Sequence, residues 1–184
     1  MEIEHFFIPT IALIKPTVFE DSRGYFFESY NKNMFIEAGI IDDFVQSNQS
    51  LSQKGVLRGL HFQNPPFAQS KLVRVIKGAV LDVAVDIRKN SPTYGKHVSL
   101  ILSEQNKYML YVPEGFAHGF LTLEDNTIFS YKCGNVYNKE AEFGIIWDDK
   151  DLGIDWSISS PLLSNKDKLN VSFRDFESPF DYKL

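Results

Sequence analysis

An all-β sandwich or barrel is the fold class that this sequence predicts, on three observations. Residues 80–87 alternate strictly: Leu81, Val83, Val85 and Ile87 share one face, while Asp82, Ala84 and Asp86 share the other. That period of two is the signature of a strand. Further short β-rich runs recur along the chain, separated by Gly, Pro, Asn and Asp, the spacing of sandwiches and barrels. Only one short segment has helical character.

Taken in order, strands are expected at residues 11–18 and 25–30. A helix fits residues 32–38, with Asn31 as its N-cap and Gly39 as its stop. Val56-Leu57-Arg58-Gly59-Leu60-His61-Phe62-Gln63 reads as a glycine-flanked apolar strand. Lys71-Leu72-Val73-Arg74-Val75-Ile76 is a second, followed by a tight turn at Lys77-Gly78, where glycine supplies the positive φ. Strands follow at residues 98–102, 108–112, 119–123 and 128–133. After about Trp156 the chain turns polar, which predicts a tail wrapped around the outside of a single domain with its core at about residues 10–156.

Composition sets the bounds. The chain has 184 residues, enough for one domain with a sizeable core. Hydrophobic residues at 43% and charged residues at 23% match a soluble globular protein. No apolar run is long enough for a membrane span, and Met1-Glu2-Ile3-Glu4-His5 lacks the features of a signal peptide. Cys133 is the only cysteine, so no internal disulfide forms and a reducing cytoplasm is the expected compartment. A net charge of -5 argues against a nucleic-acid-coating surface while leaving room for a local anion pocket.

Two of the four histidines stand out. His61 lies in Gly59-Leu60-His61-Phe62, and His118 in Phe116-Ala117-His118-Gly119-Phe120. An imidazole among apolar residues is most often a hydrogen-bonded core residue. Here Arg58 lies three residues before His61, and a cation beside an imidazole on an apolar strand is costly to bury without a purpose. His5 and His97 read as surface residues.

The chain resembles the dTDP-4-dehydrorhamnose 3,5-epimerases. The likeness is carried by residues 56–63, Lys71-Leu72-Val73-Arg74-Val75, Asp82-Val83-Ala84-Val85-Asp86, Ser91-Pro92-Thr93-Tyr94-Gly95, Pro113-Glu114-Gly115-Phe116-Ala117-His118-Gly119-Phe120 and Tyr131-Lys132-Cys133. Trp147-Asp148-Asp149, Gly153-Ile154-Asp155-Trp156 and Leu163-Ser164-Asn165-Lys166-Asp167 continue it. The resemblance implies a cupin-type jelly roll (a double-stranded β-helix) with short peripheral helices. It also implies a homodimer with neither metal nor organic cofactor, acting on a dTDP-linked 4-keto-6-deoxy sugar.

Epimerisation beside a ketone needs a base on one face of the sugar, an acid on the other, and a group that holds enolate charge. The resemblance places His61 as base, Asp167 as its paired carboxylate, Tyr131 as opposite-face acid and Lys71 at the C4 oxygen. A neutral imidazole, with a reference pKa of about 6.5, suits a base near pH 7. A nearby cation would make a tyrosine a better donor. The resemblance further implies ligand contacts at Arg23, Glu28, Gln46, Asn48, Arg58, His118, Glu142 and Lys166, with Tyr137 stacked on the base. Arg23 and Glu28 would come in part from a neighbouring subunit. Guanidinium forks suit diphosphate oxygens at Arg23 and Arg58. The chain departs from the family pattern at Ser47, where many relatives carry aspartate, and at Ser157 after Trp156, where proline is frequent.

Other readings carry their own signatures. A metal-dependent cupin needs clustered histidines, yet His61 has none nearby along its strand. A sugar-binding cupin needs the pocket but not the His–Asp pair. A mono-epimerase or ketoisomerase on a related nucleotide sugar shares the base and differs in the placement of the acid. One geometric problem arises as well: three positions apart in a regular strand, Arg58 and His61 face opposite sides. A bulge at Gly59 is the expected resolution.

Overall fold

The computed structural model describes residues 1–182. Among them thirteen strands follow one another: β1 (Glu2–His5), β2 (Ala12–Lys15), β3 (Phe19–Asp21), β4 (Gly24–Phe26), β5 (Gln46–Ser52), β6 (Leu57–Gln63), β7 (Lys71–Lys77), β8 (Ala79–Asp86), β9 (His97–Ser103), β10 (Met109–Val112), β11 (Phe116–Thr122), β12 (Thr127–Cys133) and β13 (Glu142–Gly144). One helix, α1 (Lys32–Glu37), follows β4, and 3₁₀ turns cover Lys139–Ala141 and Asp167–Leu169. No helix among the described residues is long and apolar enough to cross a membrane.

The strands form a jelly roll. A six-stranded sheet, β1-β2-β10-β7-β12-β5, stacks on a five-stranded sheet, β13-β6-β11-β8-β9, with β3–β4 as a separate hairpin. Alternation puts Val73 and Val75 of β7, Val80 and Ala84 of β8, Leu110 of β10, Phe120 of β11 and Phe129 of β12 into the core between them. The opposite face of β8 is equally dry. Val83, Val85 and Ile87 join Leu57, Leu121 and Trp156 in a second core, against which Ile158, Leu163, Phe173, Phe176 and Phe180 pack. The tail thus packs on the second core through apolar residues and is also held by polar ones, Asp167 on His61 and Ser178 on the Ile87 carbonyl. Outside the six-stranded sheet, Phe35 of α1 and Ile40 pack on Ile14, Leu72 and Met109.

Most expected elements form near their expected bounds, and the departures have physical causes. Asn31 caps α1 by accepting from the Asn33 and Met34 amides, and Gly39 takes φ +83° just beyond its end. The turn at Gly78 (φ +79°) forms, but instead of closing a hairpin it carries the chain from β7 in one sheet to β8 in the other. β5 has no apolar alternation to betray it, because Gln46-Ser47-Asn48-Gln49-Ser50 is polar throughout. His97 is half-buried in β9 rather than on the surface, and burial lowers its pKa.

Candidate active site

At the end of the barrel where β5 and β7 begin and β12 ends, a cavity of about 270 Å³ opens between the sheets. Its walls are Ser50, Arg58, His61, Lys71, His118, Phe120, Phe129, Tyr131 and Glu142, together with Ser164, Lys166 and Asp167 of the tail. The period of two explains the placement. Lys71 is the next inward position along β7 from Val73, Tyr131 the next along β12 from Phe129, and His118 the next along β11 from Phe120. The strands that make the core thus end in the polar groups of a pocket.

His61 and Asp167 meet there, Nε2 to Oδ1 at 2.5 Å, although 106 residues separate them. A carboxylate only accepts, so Nε2 carries the hydrogen and the other ring nitrogen is left free to take a proton. Ser164 fixes the carboxylate: its Oγ donates to Asp167 Oδ2 at 2.7 Å and accepts from the Asp167 amide at 3.1 Å. Burial alone would raise the Asp167 carboxyl, but the bonds from His61 and Ser164 hold it below the ordinary carboxylate range.

Lys71 lies across the cavity, with Nζ 3.5 Å from the His61 carbonyl. Burial pushes its ammonium pKa down, opposed by Cys133, Asp82 and Glu142. At Tyr131 a cation, Arg58, does pull the hydroxyl pKa down, but it is outweighed. Burial, with Cys133 beside it, raises its hydroxyl, and the opposing pull of Asn48 and Arg58 does not overcome that. The phenol therefore stays protonated.

Glu142 forms an ion pair with Lys166 and accepts from the Tyr137 hydroxyl at 2.7 Å. Burial would raise its carboxyl, yet these two partners bring it below the usual value. The cavity continues into a narrower cleft of about 100 Å³ that adds Gln46, Asn48 and Tyr137. Gln46 donates to Asn48 Oδ1 at 3.0 Å and accepts from the Tyr137 amide at 2.9 Å, while the Tyr137 ring lies exposed at the rim.

The opposite-face problem of Arg58 and His61 resolves at Gly59. β6 and β11 pair at His61↔His118 and again at Arg58↔Phe120, three steps on one strand against two on the other. That extra residue is a β-bulge. Gly59 has φ +146°, and a Cβ there would lie 2.5 Å from the Gly119 Cα, so only glycine fits. Arg58 is thereby turned onto the cavity beside His61, and its Nε donates to Ser52 Oγ at 3.2 Å.

Two of the expected contacts do not reach this cavity within one chain. Arg23 sits at the exposed β3–β4 hairpin, paired with Asp21 at 2.6 Å, and Glu28 lies in a groove beside α1. Conversely, the sequence reading gave no role to Asp82 or Ser164. Asp82 bonds His118 through both carboxylate oxygens, at 2.9 and 3.1 Å. Its signal was available: it interrupts the inward face of β8 between Val80 and Ala84. Among the described residues no three His, Cys, Asp or Glu side chains gather as a metal site.

A family model described as dTDP-4-dehydrorhamnose 3,5-epimerase matches residues 5–175. The dTDP-4-dehydrorhamnose 3,5-epimerase of Shigella flexneri is 54% identical over 169 residues, covering 91% of this chain and 93% of that protein. The dTDP-6-deoxy-D-glucose-3,5-epimerase of Legionella pneumophila, solved with dTDP-4-keto-L-rhamnose, superposes with a TM-score of 0.95 at 44% identity, over 100% of this chain and 99% of that one. A 3'-monoepimerase of Streptomyces bikiniensis, solved with dTDP-quinovose, gives a TM-score of 0.86 at 31% identity, over 91% of this chain and 86% of that one.

Proposed function

The chain belongs to the dTDP-4-dehydrorhamnose 3,5-epimerase family, and from that premise we propose how its residues divide the reaction. The enzyme epimerises dTDP-4-dehydro-6-deoxy-D-glucose at C3 and C5 to dTDP-4-dehydro-L-rhamnose. His61 takes the proton from the carbon beside the C4 ketone, and Asp167 stabilises the imidazolium that forms. Negative charge collects on the C4 oxygen, where the Lys71 ammonium meets it. A carbon acid is far weaker than imidazolium, so this electrostatic help is the largest contribution asked of the site. Burial lowers the Lys71 pKa, which makes it a stronger donor to that oxygen. Tyr131 then gives its hydroxyl proton to the opposite face of the carbon, completing the inversion. Solvent reprotonates the tyrosinate and takes the proton from His61.

The observation that carries this reading is that the His61–Asp167 pair, Lys71 and Tyr131 line one cavity. Arg58 and Lys166 supply positive charge for the diphosphate, and His118 and Glu142 contact the substrate. Gln46, Asn48 and the exposed Tyr137 ring take the nucleoside in the adjoining cleft. Arg23 and Glu28 reach the site from a second copy of the chain, so the working form is a homodimer, and it acts in the cytoplasm without metal or cofactor. Incubation with the 4-keto substrate in D₂O tests this: deuterium should enter both C3 and C5 with inversion, unaffected by chelators. Label at C3 alone would mark the chain as a mono-epimerase, like the Streptomyces bikiniensis neighbour.

A further inference from the structure

Asp82 sits on the inward face of β8 between Val80 and Ala84, wholly buried, with apolar side chains before and after it. A carboxylate in that position is expensive, and a hydrophobic residue of similar volume would serve the core at least as well. Its register explains what it does reach. β8 and β11 pair at Ala84↔His118 and Asp82↔Phe120, so Asp82 and His118 are diagonal neighbours on one face. Both carboxylate oxygens accept from His118 Nε2. This clamp holds the imidazole nearly parallel to the Phe129 ring, at an interplanar angle of 22°, and leaves Nδ1 as its remaining polar atom at the cavity wall.

We propose that Asp82 is a positioning residue for the epimerisation: its buried carboxylate fixes the ring of His118 and supports the Lys71 ammonium across the core. A donor for the ketone oxygen, Lys71 on one sheet, and an acceptor for a substrate hydroxyl, His118 Nδ1 on the other, are thereby set before substrate arrives. Asp82 is one of the groups that oppose the effect of burial on Lys71, together with Cys133 of β12 and Glu142 of β13. The other titratable groups around this cavity are His61 of β6, His118 of β11, Tyr131 of β12, Arg58 of β6, and Lys166 and Asp167 of the tail. Of the three groups that oppose burial, Asp82 alone is a wholly buried carboxylate. This inference rests on the proposed function.

The decisive variant is Asp82→Asn in the full chain, which keeps the volume and an acceptor for Nε2–H but removes the charge. kcat should fall by at least about tenfold, within the roughly 10²–10³-fold cost of losing an oxyanion donor outright, with dTDP affinity unchanged. The alkaline limb of the kcat profile should move to lower pH, because the Lys71 ammonium loses a charge that supports it. Wild-type kcat with an unmoved limb would overturn the proposal. Should the variant fail to fold, ¹⁵N chemical shifts of His118 in the unmodified protein decide instead: an Nε2–H tautomer is expected, and an Nδ1–H tautomer refutes the clamp. Absence of C3 and C5 exchange in the wild type would sink the function itself, whereas normal exchange with an indifferent Asp82→Asn sinks only this inference.

Discussion

Two histidine–carboxylate pairs face the same cavity, and they are built in opposite ways. His118 and Asp82 lie on adjacent strands of one sheet, both buried, with the carboxylate gripping one ring nitrogen through both oxygens. His61 is more open, with its side chain 26% exposed, and its carboxylate arrives from the far end of the sequence on a tail, buttressed by Ser164. A group that gains and loses a proton each turnover must meet substrate and exchange with water, and its partner must accommodate the changing charge. A group that only orients has no such need and gains from rigidity. The openness of His61 and the burial of His118 are what those separate tasks require.

The largest test of that contrast is His61→Asn against His118→Asn. Loss of the base should lower kcat by about 10²–10⁴-fold or more while dTDP still binds, and His118→Asn should cost distinctly less. Equal losses would erase the distinction between the pairs. Tyr131→Phe should still exchange solvent deuterium into the substrate, with inversion falling further than exchange; equal loss of both would reduce Tyr131 to a binding group. A purely structural test comes next. In Gly119→Ala the new Cβ would lie 2.8 Å from the Arg58 carbonyl and 2.9 Å from the Gly59 Cα, so overpacking should destabilise the fold by about 1–3 kcal/mol, readable by denaturant titration.

Asp167 offers a subtler comparison through pH. Its folded carboxyl is held below the unfolded value of about 3.9. The stability this gives is present above that value and disappears as pH falls through the lower, folded one. The difference in melting temperature between wild type and Asp167→Asn should therefore narrow below about pH 4, and a difference that stays constant would break the linkage. The smallest effect is expected at Ser164→Ala, about 1 kcal/mol of stability with the loss of one hydrogen bond to the buried carboxylate.

The strands of the core were legible because their alternation is written in Val, Leu, Ile and Phe, as in residues 80–87. β5 was not, since its inward positions Gln46, Asn48 and Ser50 face the pocket and are polar for that reason. The bulge at Gly59 was legible from a contradiction between spacing and chemistry, which only an extra residue could remove. How the tail packs was not legible, because its sparse aromatic residues, Phe173, Phe176 and Phe180, lie among many polar neighbours. Asp82 was harder to place, because β8 is buried on both faces and alternation alone does not say which side is the inner one. The side that carried the acid was the inner one.

The position of Asp167 in the chain also sets an order of events. By the time a ribosome has produced β13, the strands that carry His61, Lys71, Tyr131 and His118 all exist. The carboxylate for the base, its Ser164 brace and the apolar cover of the outer sheet are still to come. The tail lying across the barrel brings Asp167 to His61, so on the proposed mechanism the base acquires its partner only once that segment has docked.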